Sequence, residues 1–253
     1  MTAGRGISWP SLRRATPARV GLRRAGVALT TADHLDFQLA HARAKDAVYA
    51  DLDAERIVAG LADLGCDALR LRSAAPDRLT YLRRPDLGRR LDGPSRQLLA
   101  DRPLCATEAA FVVADGLSAA AVNAHAVEFL EAVSEADPEL IRGAPVTIVE
   151  GGRVAIGDEI GGLLGADLVA VLIGERPGLS AHDSLGIYIT WQPAPGTPDA
   201  ARNCLSNIRP QGLPIADAAK ALLRLFAGAR RYRMTGVELS RRMAAHPVEG
   251  RNT

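Results

Sequence analysis

Four segments of the chain combine glycine with polar or charged residues directly after, or close to, short apolar runs. They are DGLS at 115–118, EGGRVAIGDEIG at 150–161, IGERPG at 173–178 and RNCLSNIRPQG at 202–212. They share backbone amides freed by glycine, neutral polar groups and a few charges, without an evident nucleophile or acid/base pair. These segments predict a binding surface for a large amide-rich or phosphate-bearing ligand, and no catalytic residue is assigned to them.

The IGERPG segment ends an apolar run, LVAVLI at 168–173, whose six residues include no polar one. Such a run indicates a strand covered on both faces, as in a parallel sheet between helices. Ligands of these sheets bind beyond the carboxyl ends of the strands, where the loop carries Glu175 and Arg176. The alternative interpretation is that Glu175 and Arg176 form a solvated turn pair.

The common catalytic and nucleotide-binding motifs do not occur in this sequence. It contains no Walker A motif, no G-x-S-x-G, no H-E-x-x-H and no C-x-x-C, and no G-x-G-x-x-G follows the first predicted strand. The five histidines, of which the last is His246, show no metal-ligand spacing, so no metal site is predicted. His125 is interpreted as a hydrogen-bonded histidine of the core or its edge.

Composition is typical of an ordinary globular protein, with 253 residues, 47% hydrophobic and 24% charged, and a net charge of +2. The longest apolar runs are too short to cross a bilayer, so no membrane partner is predicted. No nucleic-acid partner is predicted either, because aromatic residues make up only 4% and do not alternate with basic ones. Three widely spaced cysteines, Cys66, Cys105 and Cys204, suit a reducing cytoplasm.

The order of elements predicts an α/β protein in three parts. Residues 1–25 are predicted to be a basic flexible tail, because residues 1–32 contain six arginines and no acid. Residues 26–100 are predicted to form a helical amino-terminal domain with little room for a sheet. Residues 101–253 alternate strands with helices, which predicts a doubly wound, mostly parallel sheet.

Local signals fix several boundaries of these elements. A first long helix is expected to be capped by Thr30 or Thr31, and a second to end at Gly65. Short strands are expected at AFVVA, VTIV, LVAVLI and LGIYITW, and Ser118 of the DGLS turn should cap the helix that follows it.

Five blocks of sequence, in order, carry a resemblance to a known family: TPARVGLRRAG, FQLAHARAKDAV, VVADGLSAAAV, RVAIGDEIGGLLGADLVAVLIGERPGL and RNCLSNIRPQGL. In these blocks the sequence resembles the small (light) subunit of ethanolamine ammonia-lyase, an adenosylcobalamin-dependent enzyme that converts ethanolamine to acetaldehyde and ammonia. The resemblance runs from about residue 17 to the last helix. It implies a helical amino-terminal part and a Rossmann-like domain that holds cobalamin against the barrel of a large subunit.

The resemblance also implies a role for three residues, Val154, Glu175 and Cys204, as cobalamin contacts. Glu175 would accept hydrogen bonds from amides of the corrin ring, Val154 would offer an apolar surface or a backbone group, and Cys204 a small soft contact. A lone cysteine is otherwise typical of a small buried hydrophobe. Substrate binding and radical chemistry would belong mainly to the large subunit, so this chain is expected to be a non-autonomous part of a hetero-oligomer.

A second interpretation, from another class, is a free-standing α/β enzyme that binds a nucleotide or sugar phosphate at the same strand ends. It requires a phosphate cradle, for which the DGLS-capped helix is the only candidate. The predicted location is the cytoplasm, either free or within a bacterial microcompartment.

Overall fold

The computed structural model describes residues 8–66, 68–102 and 107–245, so Cys105 and His246 lie outside the described residues. The helices in these ranges are α1 Trp9–Ala15, α2 Thr31–Tyr49, α3 Ala54–Asp63, α4 Arg78–Arg83, α5 Gly93–Ala100, α6 Ala119–Ala136, α7 Pro138–Gly143, α8 Ile156–Leu164, α9 Ile215–Tyr232 and α10 Val237–Ala245. The strands are β1 Arg24–Ala25, β2 Ala28–Leu29, β3 Ala68–Arg72, β4 Thr107–Ala114, β5 Val146–Glu150, β6 Ala166–Gly174, β7 Leu185–Trp191 and β8 Arg202–Ile208.

A six-stranded sheet in the order β3-β5-β4-β6-β7-β8 organises the fold. Its first four strands are parallel, whereas β7 runs antiparallel to β6 and β8 antiparallel to β7. The chain passes from β4 to β5 on one side and then to β6 on the other, so its winding reverses beside β4. The predicted α/β fold is confirmed, with a mixed sheet, and the Rossmann-like description stays a prediction.

Helices cover both faces of the sheet. On one face α3, α6 and α9 bury a core with Phe111 and Phe226 at its centre. On the other face α5 and α8 bury a smaller core around Ile160. Side chains of β6 alternate between the two cores, with Leu168, Ala170 and Leu172 in the first and Val169, Val171 and Ile173 in the second. The interpretation of LVAVLI as a strand covered on both faces is therefore confirmed.

Strand β3 lies in the segment for which little room for a sheet was expected, and that expectation is wrong. It pairs in parallel with β5, from Ala68 opposite Val146 to Arg72 opposite Glu150. Only Leu71 of its side chains is fully buried, because β3 is an edge strand with arginines facing solvent. The division of the chain into a tail and two domains stays a prediction.

Strand β8 overlaps the segment RNCLSNIRPQG, which was interpreted as a strand-end loop. That interpretation is wrong for Arg202–Ile208, which pair with β7, and right for the turn after them. As an edge strand, β8 keeps polar residues exposed and lacks the apolar run of β6.

The predicted helix boundaries agree with the structure, and the helices α1, α7 and α10 were missed. Thr30 caps α2 by accepting from the Asp33 N–H, and Gly65 follows α3 with φ +74°, as expected. Helix α1 lies in the segment predicted as a tail. None of the helices in the described ranges combines the length and apolar composition that a membrane crossing needs.

Candidate functional site

The four glycine-rich segments meet at the carboxyl edge of β4, β5 and β6. The Leu117 N–H donates to the Gly174 carbonyl at 2.9 Å, which joins the loops after β4 and β6. The Gly152 N–H donates to Asp115 at 3.1 Å, which adds the loop after β5. The backbone N–H of Asn207 at the end of β8 reaches Glu175. The four segments therefore lie together at one edge of the sheet.

Glycine is required where the loops after β4 and β6 touch. A Cβ on Gly174 would lie 2.0 Å from the Ser118 carbonyl oxygen, and one on Gly116 would lie 2.3 Å from the Gly174 oxygen. Gly116 also has φ +57°, a conformation that residues with a Cβ rarely adopt. This close packing fixes the position of Gly174, the last residue of β6, and therefore the position of Glu175, the first residue of the loop that follows.

Two adjoining cavities follow this edge, of about 470 and about 800 Å³, and both are lined by Arg153, Val154 and Tyr188. We call the two cavities together the trough. The smaller one lies against the ends of β4 and β6 and includes Glu175. The larger one extends past the start of α8 toward the loop that precedes β8. The trough is thus an open groove along one face of the sheet rather than an enclosed pocket.

Glu175 is half-buried at the head of the trough, and its carboxylate is held by one oxygen. Oε2 accepts from the Ser184 hydroxyl at 2.5 Å and from the Asn207 N–H at 3.2 Å. Oε1 accepts no hydrogen bond from any residue in the described ranges. Arg176 is exposed and lies beyond ion-pair distance of Glu175. The two side chains therefore form no ion pair with each other, and Oε1 of Glu175 is a hydrogen-bond acceptor without a donor in the described ranges.

Val154 reaches the trough because the loop after β5 turns directly into α8. Its carbonyl accepts from the Gly157 N–H at 3.1 Å, and its side chain packs against the smaller core. Arg153 beside it is half-buried, with its guanidinium 4.2 Å from the centre of the Tyr81 ring. This loop therefore presents an apolar side chain and a cation side by side.

Cys204 lies on β8 directly opposite Tyr188 of β7. Paired residues of antiparallel strands point to the same face, so the exposed Cys204 thiol borders the trough through Tyr188. Burial and the neighbouring thiol raise the pKa of Tyr188 to about 12. Partial desolvation, with the charge of Glu175, raises the pKa of the Cys204 thiol, so it is a neutral contact at physiological pH.

A buried acid, Asp115, joins the loops beneath the trough. It accepts from the Gly152 N–H and pairs with Arg78 at 3.3 Å, while Arg78 donates to the Gly116 carbonyl at 2.8 Å. Burial raises the pKa of Asp115 to about 6, and Arg78 and the backbone N–H groups oppose this shift. Because the folded pKa lies above the usual 3.8, the contribution of Asp115 to stability declines as pH rises from about 4 to about 6.

Sequence reasoning missed the residues Tyr81, Arg153 and Tyr188 of this site. Arg153 lies in the EGGRVAIGDEIG segment but was not singled out there, and Tyr81 and Tyr188 belong to none of the four glycine-rich segments. One signal was present for Asp115, because an acid directly after a buried strand falls at the ligand-binding edge of an α/β sheet. Of the residues that the resemblance implied, Val154 and Glu175 line the trough and Cys204 borders it.

Metal-binding clusters were searched over the same described ranges. There, no group of three or more His, Cys, Asp or Glu side chains could hold a metal ion. His125 is buried on α6, and its Nε2 has no hydrogen-bond partner within the part of the chain that is described.

Comparison with known proteins identifies the family of this chain. Residues 7–240 match the family described as ethanolamine ammonia-lyase light chain (EutC). Proteins named ethanolamine ammonia-lyase small subunit from Azotobacter vinelandii, Ralstonia nicotianae and Pseudomonas aeruginosa strain UCBPP-PA14 are 53%, 52% and 50% identical to this chain. The matches cover 91%, 91% and 96% of this chain and 87%, 87% and 90% of those relatives. This chain therefore belongs to the ethanolamine ammonia-lyase light chain family.

Proposed function

We propose that this chain is the small subunit of an adenosylcobalamin-dependent ethanolamine ammonia-lyase and completes the cobalamin site against a large subunit. The observation that carries the proposal is the convergence of Val154, Glu175 and Cys204 on one trough from three separate segments. When bound, adenosylcobalamin supplies radical chemistry through homolysis of its cobalt–carbon bond. The residues of this chain bind and orient the cofactor, and ethanolamine is bound mainly by the partner.

The polar groups of the trough fit the periphery of a corrin ring, which carries neutral amide side chains. An amide offers both N–H donors and a carbonyl acceptor. Glu175 Oε1 is free to accept from such an N–H, and Arg153 Nε is a buried donor without a protein partner in the described residues. Val154 and Tyr188 add apolar surface to the same cavity. The trough therefore matches an amide-rich ligand with a flat apolar ring.

The alternative, a free-standing enzyme for a nucleotide or sugar phosphate, depended on phosphate binding at the DGLS-capped start of α6. The contacts of that segment disfavour such binding. Ser118 caps α6 but is fully buried, and its hydroxyl donates to the His182 carbonyl at 2.9 Å. The Leu117 N–H likewise donates a hydrogen bond to the Gly174 carbonyl. A phosphate cannot approach the start of α6 without breaking these contacts.

Exposed apolar side chains on α2 support a hetero-oligomer. Leu35, Phe37 and Leu39 leave 57%, 39% and 51% of their surface accessible on this one helix. Leu35 and Leu39 are one turn apart on the same face of α2, and adjacent exposed hydrophobic side chains of this kind are typical of an interface. The proposed complex is cytoplasmic, either free or inside a bacterial microcompartment.

Reconstitution tests this function. The chain alone, supplied with adenosylcobalamin and ethanolamine, should form no acetaldehyde, and addition of an ethanolamine ammonia-lyase large subunit should restore turnover. The reason is that the reacting groups lie on the partner while the trough supplies only binding groups. Turnover by the purified chain alone would overturn this division, and binding of nucleotides in place of the corrinoid would favour the alternative enzyme.

Substitution of Cys204 separates a packing contact from a chemical role. Cys204→Ser should fold, assemble and lose at most about threefold in turnover, because a hydroxyl nearly fills the space of the thiol. Cys204→Trp should lower cofactor affinity by about tenfold, because the indole would project beside Tyr188 into the path of the ring. Both are measured by corrin absorbance and acetaldehyde release. Loss of turnover in Cys204→Ser with the cofactor fully bound would assign the sulfur a chemical role.

A further inference from the structure

Arg153 carries a hydrogen-bond donor that the fold buries and leaves unused. Its Nε is buried without a partner among the residues that the structure describes, while its Nη2 donates to the Tyr81 carbonyl at 3.3 Å. A buried donor on a charged group is costly to leave unpaired. Because Arg153 lines both cavities of the trough, this donor points to an acceptor that enters with a ligand.

The guanidinium is also held in place before any ligand binds. It stacks 4.2 Å from the centre of the Tyr81 ring, and the Arg153 N–H donates to the Gly88 carbonyl at 2.7 Å. A side chain on Gly88 would meet Arg153 Cγ at 2.8 Å, so the absence of a Cβ at Gly88 permits this packing. A planar guanidinium fixed in this way loses little freedom when it binds a planar or forked anion.

The charges around the larger cavity leave Arg153 without a counter-ion. The three carboxylates that line this cavity are each paired with an arginine other than Arg153. These pairs are Asp86 with Arg84, Glu159 with Arg96 and Asp199 with Arg202. Arg153 forms no ion pair with any described residue, and neither does the exposed Arg89 on the same wall. Two guanidiniums are thus left to neutralise an anion from outside the chain.

We infer that Arg153, with Arg89 beside it, binds a phosphate group of the ligand in the trough, and that this group is the phosphodiester in the nucleotide loop of the cofactor. The inference rests on the proposed function, because the amide side chains of a cobalamin are neutral and its phosphodiester is anionic. Arginine is suited to this group, since its N–H donors match phosphate oxygens in pairs. Glu175 would then hold amides at the head of the trough and Arg153 the phosphodiester further along.

Two corrinoids that differ only in the phosphate test this assignment in the complex with the large subunit. Adenosylcobinamide lacks the phosphate that adenosylcobinamide phosphate carries, and corrin absorbance reports the affinity of each. The wild-type complex should bind the phosphorylated corrinoid at least about tenfold more tightly. Arg153→Gln should weaken binding of adenosylcobinamide phosphate much more than binding of adenosylcobinamide and so remove this preference, and Arg153→Lys should keep part of it.

Arg83→Gln is the matched control. Arg83 is exposed at the end of α4, so this substitution removes the same charge at a position away from the trough. It should leave the phosphate preference intact. Equal affinity of the wild type for both corrinoids, or equal weakening of both by Arg153→Gln, would overturn the phosphate assignment alone. A wild-type complex that binds neither corrinoid would overturn the proposed function and this inference with it.

Discussion

Asp158→Asn should destabilise the chain by about 3–5 kcal/mol, because it leaves a buried guanidinium without its buried counter-ion and with only the exposed Asp199 as an ion-pair partner. Arg202 at the start of β8 donates to both carboxylate oxygens of Asp158 on α8, at 2.5 and 2.7 Å. The two side chains are only 2% and 1% exposed. The pair ties the β7–β8 edge to α8 and so sets the far wall of the trough. Urea unfolding followed by circular dichroism measures the change.

Two further variants make this prediction specific. The double variant Arg202→Met, Asp158→Leu should recover most of the loss, since apolar residues of similar size can replace a buried ion pair at little cost. Glu139→Gln breaks the exposed pair with Arg142, at 3.0 Å, and should cost less than about 1 kcal/mol. If Asp158→Asn cost no more than Glu139→Gln, the buried pair would not support the edge.

Glu175→Ala should weaken binding of adenosylcobalamin to the assembled complex by about tenfold to a hundredfold. This corresponds to roughly 1.5–3 kcal/mol, the scale of a hydrogen bond to a charged group. The carboxylate stands at the head of the trough with Oε2 fixed by Ser184 and Asn207 and Oε1 free. Glu175→Gln keeps an acceptor and should lose less than Glu175→Ala. Titration followed by corrin absorbance gives each affinity.

Glu128→Gln, an exposed acid on α6 away from the trough, is the control and should bind the cofactor like the wild type. Arg176→Ala should not act through Glu175, because the two side chains form no ion pair. Wild-type affinity in Glu175→Ala would remove the carboxylate from the binding role.

Central strands could be predicted from the sequence, whereas edge strands could not. LVAVLI and LGIYITW are buried on both faces or nearly so, and their composition reports this directly. β3, with the sequence ALRLR, and β8, with RNCLSNI, are exposed on much of their surface, so neither shows an apolar run. Their pairing depends on partners distant in sequence, which local patterns do not contain.

The site was predictable in part for the same physical reason. Glu175 follows a strand that is recognisable from its own residues, so its place at the carboxyl edge could be inferred. Arg153 and Tyr81 are brought together by the packing of the segment around Gly88 against the loop after β5. No spacing in the sequence reports that contact. Tyr188 and Cys204 face each other only because β7 and β8 pair, and β8 was not foreseen.

The most direct test of the account is a titration of adenosylcobalamin into the large subunit with and without this chain. If the chain completes the cobalamin site, its addition should tighten cofactor binding by about tenfold or more, and Glu175→Ala should remove most of that gain. Corrin absorbance at equilibrium measures both. The same affinity with and without the chain, in a complex shown to be assembled, would contradict the account.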